Sequence, residues 1–135
     1  MSGRAIRTLL LGLLGTVLLA GPAAACRCLA PDPARAHGRA TAAVLAEVLE
    51  VSEERHARTV RTRAVRAWKA PVEDAPTVTT AATSCGATLL PGRTYLLFLG
   101  REGGAWTTSH CDGNREEGAA GPAIRWLDAN ARRTR

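Results

Sequence analysis

Aromatic residues are scarce: three Trp, one Tyr and one Phe stand in 135 residues. With no rings interleaved among the basic side chains, the chain lacks a base-stacking platform, so no nucleic-acid partner is expected. Catalytic signatures are missing too. There is no G-x-S-x-G, no H-E-x-x-H and no phosphate-binding Gly-rich loop. His37 lies near prolines, His56 in a charged turn and His110 beside Cys111, so the three histidines form no cluster in the sequence. Glu53-Glu54 and Glu116-Glu117 fall in polar stretches that read as solvated surface. No second Cys/His pair carries zinc-site spacing, which excludes a recognisable zinc site. The sequence therefore reads as a non-enzyme with no cofactor and no metal of its own.

Long apolar runs are confined to the start. Arg4 and Arg7 precede Thr8–Ala20, an apolar run of thirteen, and Gly21-Pro22 breaks it. Ala23-Ala24-Ala25 then supplies the small residues of a secretory cleavage site. The run is shorter than the roughly 20 residues a spanning helix needs. Residues 1–25 thus read as a signal peptide and 26–135 as one secreted, extracytoplasmic domain that begins at Cys26. A lipid anchor on Cys26 is the minor alternative. It would use up that thiol and leave an odd number of cysteines, and Ala23 stands where lipoprotein signals usually carry Leu. No later stretch is apolar enough to span a bilayer.

All four cysteines, Cys26, Cys28, Cys85 and Cys111, lie in the mature chain. An even count in an oxidising compartment points to disulfides, with three pairings possible. A Cys26–Cys28 ring would be very tight, so each N-terminal cysteine is expected to pair with a distant one. Closing loops of about 60 to 85 residues stabilises a fold by roughly 4 kcal/mol each in the chain-entropy model. If Cys26 and Cys28 were instead reduced, they could join His37 or His110 in holding a soft metal. Oxidised, they offer no thiolate for Cys–His catalysis either.

The mature chain carries sixteen basic and twelve acidic residues, a net charge of +4, and Lys69 is its only lysine. Arg55, Arg58, Arg61, Arg63 and Arg66 form a stripe that could meet an anionic surface, although a solvated strand face explains it as well.

Pro31 and Pro33 predict an extended, non-helical stretch over Cys26–His37. In the next segment Val44, Leu45, Val48 and Leu49 fall on a helical face, while alternation also permits a strand. Arg58–Lys69 and Thr77–Thr83 read as strands through their β-branched residues. Pro91-Gly92 marks a turn before a buried strand, Thr94–Leu99, and Gly103-Gly104 turns the chain into a strand over Ala105–Cys111. Pro122–Arg132 reads as a helix with Ile124, Leu127 and Asp128 near one face, and the tail Arg132–Arg135 is expected to fray. Five short strands and a terminal helix suggest a small barrel.

The exposed cysteine terminus is the unusual feature. A terminal amine has a pKa of about 7.7 to 8.0, and with the adjacent carbonyl it can chelate a metal in a five-membered ring. A disulfide on the same residue would hold that pair rigid.

Cys26-x-Cys28, then Pro31, Pro33 and Ala36, resembles the start of the tissue inhibitors of metalloproteinases and the wider netrin-like domains. Trp68-Lys69, Ser84-Cys85-Gly86, Gly92-x-x-Tyr95-Leu96-Leu97 and Ser109-His110-Cys111 follow in the order of that pattern. The resemblance implies an all-β, five-stranded OB-type closed barrel with a C-terminal helix here, and hence a strand over Thr41–Val51. It also implies the pairs Cys26–Cys85 and Cys28–Cys111. By the same resemblance the Cys26 amine and carbonyl would ligate a protease zinc. Arg27 would enter the specificity pocket, and Cys28 and Leu29 would touch the protease. The expected partner is a metalloprotease bound by a monomeric inhibitor. A non-inhibitory binding module for a protein or an anionic envelope polymer is the alternative. Arg27 departs from the family's usual Ser or Thr, a third early cysteine is replaced by the His37-Gly38 region, and the inhibitors' second module is missing.

Overall fold

The computed structural model describes residues 26–135, so the signal-peptide reading of residues 1–25 lies outside the described residues. Strands β1 (Ala42–Glu54) and β2 (Ala57–Trp68) form a long antiparallel hairpin. They are followed by β3 (Thr77–Ala81), β4 (Thr94–Glu102), β5 (Ala105–Thr107) and the two-residue β6 (Arg115–Glu116). The sheet order is β1-β2-β3-β5-β4-β6, and a further β1–β4 pairing closes the first five strands into a ring. Strands β3 and β5 run parallel, and every other pair is antiparallel. Helix α1 (Pro33–Arg39) precedes the sheet, and α2 (Gly121–Asn130) follows it.

Burial on both faces makes β1 a strand despite its helix-like residues. Ala42, Val44, Ala46 and Val48 point into a cluster fed by all five ring strands, including Val60, Val78, Leu97 and Trp106. Ala43 and Leu45 point the other way, against Trp68, Leu96, Phe98 and Leu127. A strand alternates its side chains at period two, so an unbroken apolar run fits where both faces are covered. Burying side chains such as Leu96, Phe98 and Leu127 stabilises the layer by about 1.5–3 kcal/mol each. Two register shifts in the β1–β2 ladder, at Leu45/Ala46 and Val48/Glu50, add the local twist that helps a sheet coil on itself.

Four expectations need correction. Residues 33–39 are helical, because Pro33 takes the first turn, where its missing N–H costs nothing, and the Asp32 carboxylate caps Arg35 N–H at 2.8 Å. The strand expected over 105–111 stops at Thr107, after which the side chains of Asp112 and Ser109 accept from the Ser109 and Cys111 N–H groups in place of a strand partner. The polar loop that follows contains the short β6. Finally, the tail does not fray: Lys69 N–H donates to Arg132 O at 2.7 Å, and Thr134 N–H to Ala67 O at 2.8 Å. It runs antiparallel to the end of β2, with Arg133 opposite Trp68.

Candidate functional site

Two disulfides fasten the N-terminal segment across loops at one end of the ring. Cys26 is bonded to Cys85 and Cys28 to Cys111, with Cα separations of 5.0 and 5.4 Å. Each receiving cysteine is set by a hydroxyl two residues earlier. Thr83 Oγ1 accepts from Cys85 N–H and Ser109 Oγ from Cys111 N–H, both at 3.2 Å. His110 N–H donates to Cys85 O at 2.9 Å and joins the two loops directly. Asn114 ties the second loop to β4, accepting from Phe98 N–H at 2.9 Å and donating to Ser109 O at 3.1 Å.

The segment these loops carry is held differently. Among the described residues no backbone hydrogen bond engages Cys26, Arg27, Cys28, Leu29 or Ala30. The first hydrogen bond after the strip comes from Arg115, which donates to Pro31 O at 3.1 Å. Arg27 is exposed and Leu29 is 94% exposed, whereas Cys26 and Cys28 are half-buried. Covalent bonds thus fix a strip outside any helix or strand, whose peptide groups are left for solvent or a partner. Beside it lies a cleft of about 390 Å³ lined by Cys28, Ala30, Leu89, Tyr95 and His110, among others.

Helix α1 follows the strip in the chain and shares the lining of a recess with it. The Lys69 ammonium donates to His37 O at 2.7 Å and also to Ala40 O, filling carbonyls at the C-terminal end of α1. Lys69 does so from a left-handed backbone with φ 76°. The His37 ring lies 5.6 Å from that of Trp126 on α2. Burial, and secondarily the Lys69 charge, hold the His37 pKa below its usual value.

The arginine stripe is not a free cationic face. Arg58 meets Glu53 at 2.8 Å, Arg61 meets Glu50 at 2.9 Å, Arg63 meets Glu47, and Arg66 reaches Asp128 at 3.5 Å. The first three are cross-strand neighbours of β1 and β2. Only Arg55, in the hairpin turn, stands outside these pairs.

The sequence-derived site residues Cys26, Arg27, Cys28 and Leu29 therefore form one strip that is disulfide-bonded to Cys85 and Cys111. The three histidines are spread over α1, the β1–β2 turn and the Cys111 loop. All four cysteines are paired, and the described residues contain no group of three or more His, Cys, Asp or Glu arranged to hold a metal ion. Local sequence pattern does not place Arg35, Arg39 and Arg115 near the strip, where Arg115 donates to Pro31 O and the other two line a recess with Leu29. Asp32-Pro33, a cap residue followed by a first-turn proline, was the signal for the helix that carries two of them. Compared with known proteins, the chain matches no family model and no curated sequence.

Proposed function

We propose that the chain, processed to begin at Cys26, is a secreted metalloendopeptidase-inhibitor-like protein and acts as a ligand, not as a catalyst. The observation that carries this is the strip Cys26–Ala30: outside any helix or strand, pinned by two disulfides, free of backbone hydrogen bonds, and presenting Arg27 and Leu29 outward. A ring ordered β1-β2-β3-β5-β4, closed by β1–β4 with β3 parallel to β5, supports an OB-type barrel, and the netrin-like kind is proposed from the order of the cysteine motifs alone.

Removal of residues 1–25 would free the Cys26 amine. Near neutral pH part of that amine is unprotonated, and its nitrogen and the Cys26 carbonyl oxygen can occupy two positions on a protease zinc. The Cys26–Cys85 bridge limits the freedom lost on binding. Arg27 would enter the pocket next to the zinc, with Cys28 and Leu29 along the cleft. An unpaired guanidinium in an apolar pocket is heavily penalised, so Arg27 selects a protease with a carboxylate there. For the alternative, a binding module that uses the arginine stripe, the Glu47 and Glu50 partners of Arg63 and Arg61 count against a free anion-binding face.

The test compares the chain starting at Cys26 with one extended by a single Ala, against zinc endopeptidases that accept basic residues after the scissile bond. Inhibition by the first and none by the second is expected. Equal inhibition by both would remove the chelating terminus from the mechanism.

A further inference from the structure

Behind Leu29 the chain forms a recess of about 510 Å³ whose lining includes Leu29, Pro31, Asp32, Arg35, Arg39 and Cys111. Arg35 and Arg39 are four apart on α1, so their side chains project from one face. Neither takes part in an ion pair among the described residues. The one carboxylate in the lining, Asp32, is engaged as the helix cap. On β2, by contrast, four arginines in a row have acidic partners. Positive charge is thus neutralised along the hairpin and left unneutralised beside Leu29, the most exposed large apolar side chain among the described residues.

We infer that the recess lined by Leu29, Arg35 and Arg39 receives an acidic side chain from a partner protein, with apolar partner surface covering Leu29. Although this rests on reading Cys26–Leu29 as a docking segment, it names the surface that segment meets: an apolar patch rimmed by Asp or Glu. A concave site fits a projecting side chain better than a flat bilayer. A membrane-binding face would also need more than one fully exposed apolar residue beside its basic cluster. Both guanidinium groups stay accessible, and planar forks of this kind pair well with carboxylates.

Retention of the disulfide-bonded chain on immobilised poly-L-glutamate tests the inference, with R35A/R39A compared against the charge-matched R132A/R133A. Neither Arg35 nor Arg39 makes a side-chain hydrogen bond among the described residues, so circular dichroism should show the fold of R35A/R39A unchanged. At low ionic strength R35A/R39A is expected to weaken retention roughly 3- to 10-fold, as two exposed charge pairs allow, and salt should narrow the difference. R132A/R133A should change it far less. Absence of wild-type retention, equal losses in the two variants, or no loss in R35A/R39A would each overturn the inference. So would tighter binding to phosphatidylglycerol vesicles that L29A abolishes, which would make the ligand a lipid surface. The Ala-extended chain separates this inference from the proposed function. If it still inhibits a protease, chelation falls and the recess stands. If R35A/R39A leaves both polyglutamate retention and inhibition unchanged, the recess falls and chelation stands.

Discussion

The indole N–H of Trp68 donates to the Asp128 carboxylate at 3.0 Å and joins the end of β2 to α2. Trp68 is fully buried, so this bond satisfies a donor that water cannot reach. D128A should cost about 1–3 kcal/mol, the penalty for stranding a buried polar group. D128N keeps an acceptor and should cost less. Urea unfolding followed by tryptophan fluorescence measures both. Equal losses would place the value of Asp128 elsewhere, such as in its contact with Arg66.

Lys69 combines a left-handed backbone, φ 76°, with an ammonium that fills the carbonyls of His37 and Ala40. K69A loses the donor and keeps the strained Cβ, whereas K69G loses the donor and relieves the strain. K69G is therefore expected to be more stable than K69A by about 1 kcal/mol, and both should speed amide exchange in Pro33–Arg39. If K69G is the weaker of the two, backbone strain at this position is not significant.

Much of the sheet was legible because β2, β3 and β4 carry β-branched or apolar runs between clear turns, and Gly103-Gly104 marks a hairpin at φ 56° and 82°. Strand β1 was not legible from local pattern. Its Ala and Glu residues favour helix, and only a second covered face, supplied by α2 and the outer side of β4, makes the unbroken run Ala42–Ala46 a buried strand. Helix α1 was hidden because Pro33 reads as a breaker unless Asp32 is taken as the cap that makes it a first-turn residue. The order of the tail was hidden because its partners, Ala67 and Lys69, lie about 65 residues away in sequence. In the candidate site, the cysteines and the strip were visible in the sequence. Arg35 and Arg39 became neighbours of Leu29 only once that helix was in place.

Two groups predict how stability falls with acid. Burial first, then Lys69, hold His37 below its usual 6.5, so the unfolded chain takes up this proton at higher pH than the folded one. Its contribution is full above 6.5 and is lost as pH falls from there through the lower folded value. Glu73, held below 4.5 chiefly by the hydrogen bond from Trp106, is at full effect above 4.5 and loses its contribution as pH drops through its own folded value. The urea midpoint should therefore decline in two steps on acidification. H37Q should flatten the upper step alone, and W106F the lower. A flat wild-type profile below 6.5 would remove His37 from the balance.

Gly86, next to Cys85, permits the close approach on which the first disulfide loop depends. A Cβ there would stand 1.7 Å from Ala81 O, a backbone atom with no flexible side chain to swing away. G86A should destabilise the protein by about 3 kcal/mol or more, since the loop must shift. G118A, at an open position, should lie within about 0.5 kcal/mol of wild type. Thermal unfolding of the two variants distinguishes them, and a mild G86A would mean that the 82–90 loop relocates at little cost.

The strip Cys26–Ala30 is predicted to be covalently anchored and yet unprotected. No backbone hydrogen bond of the described residues shields its amides, so Arg27, Cys28, Leu29 and Ala30 should exchange with solvent far faster than Val44 or Leu97 in the ring, even in the oxidised protein. Removing one anchor by C26A/C85A should cost about 2–5 kcal/mol and expose the start of the strip to proteolysis, while the ring keeps its slow exchange. Hydrogen exchange by mass spectrometry, with limited proteolysis at Arg27, reads both effects. Protection of Arg27–Ala30 in the free protein would mean that the strip already pairs with its own chain, leaving nothing for a partner to complete. Rapid exchange that slows when a protease binds would identify it as the docking element.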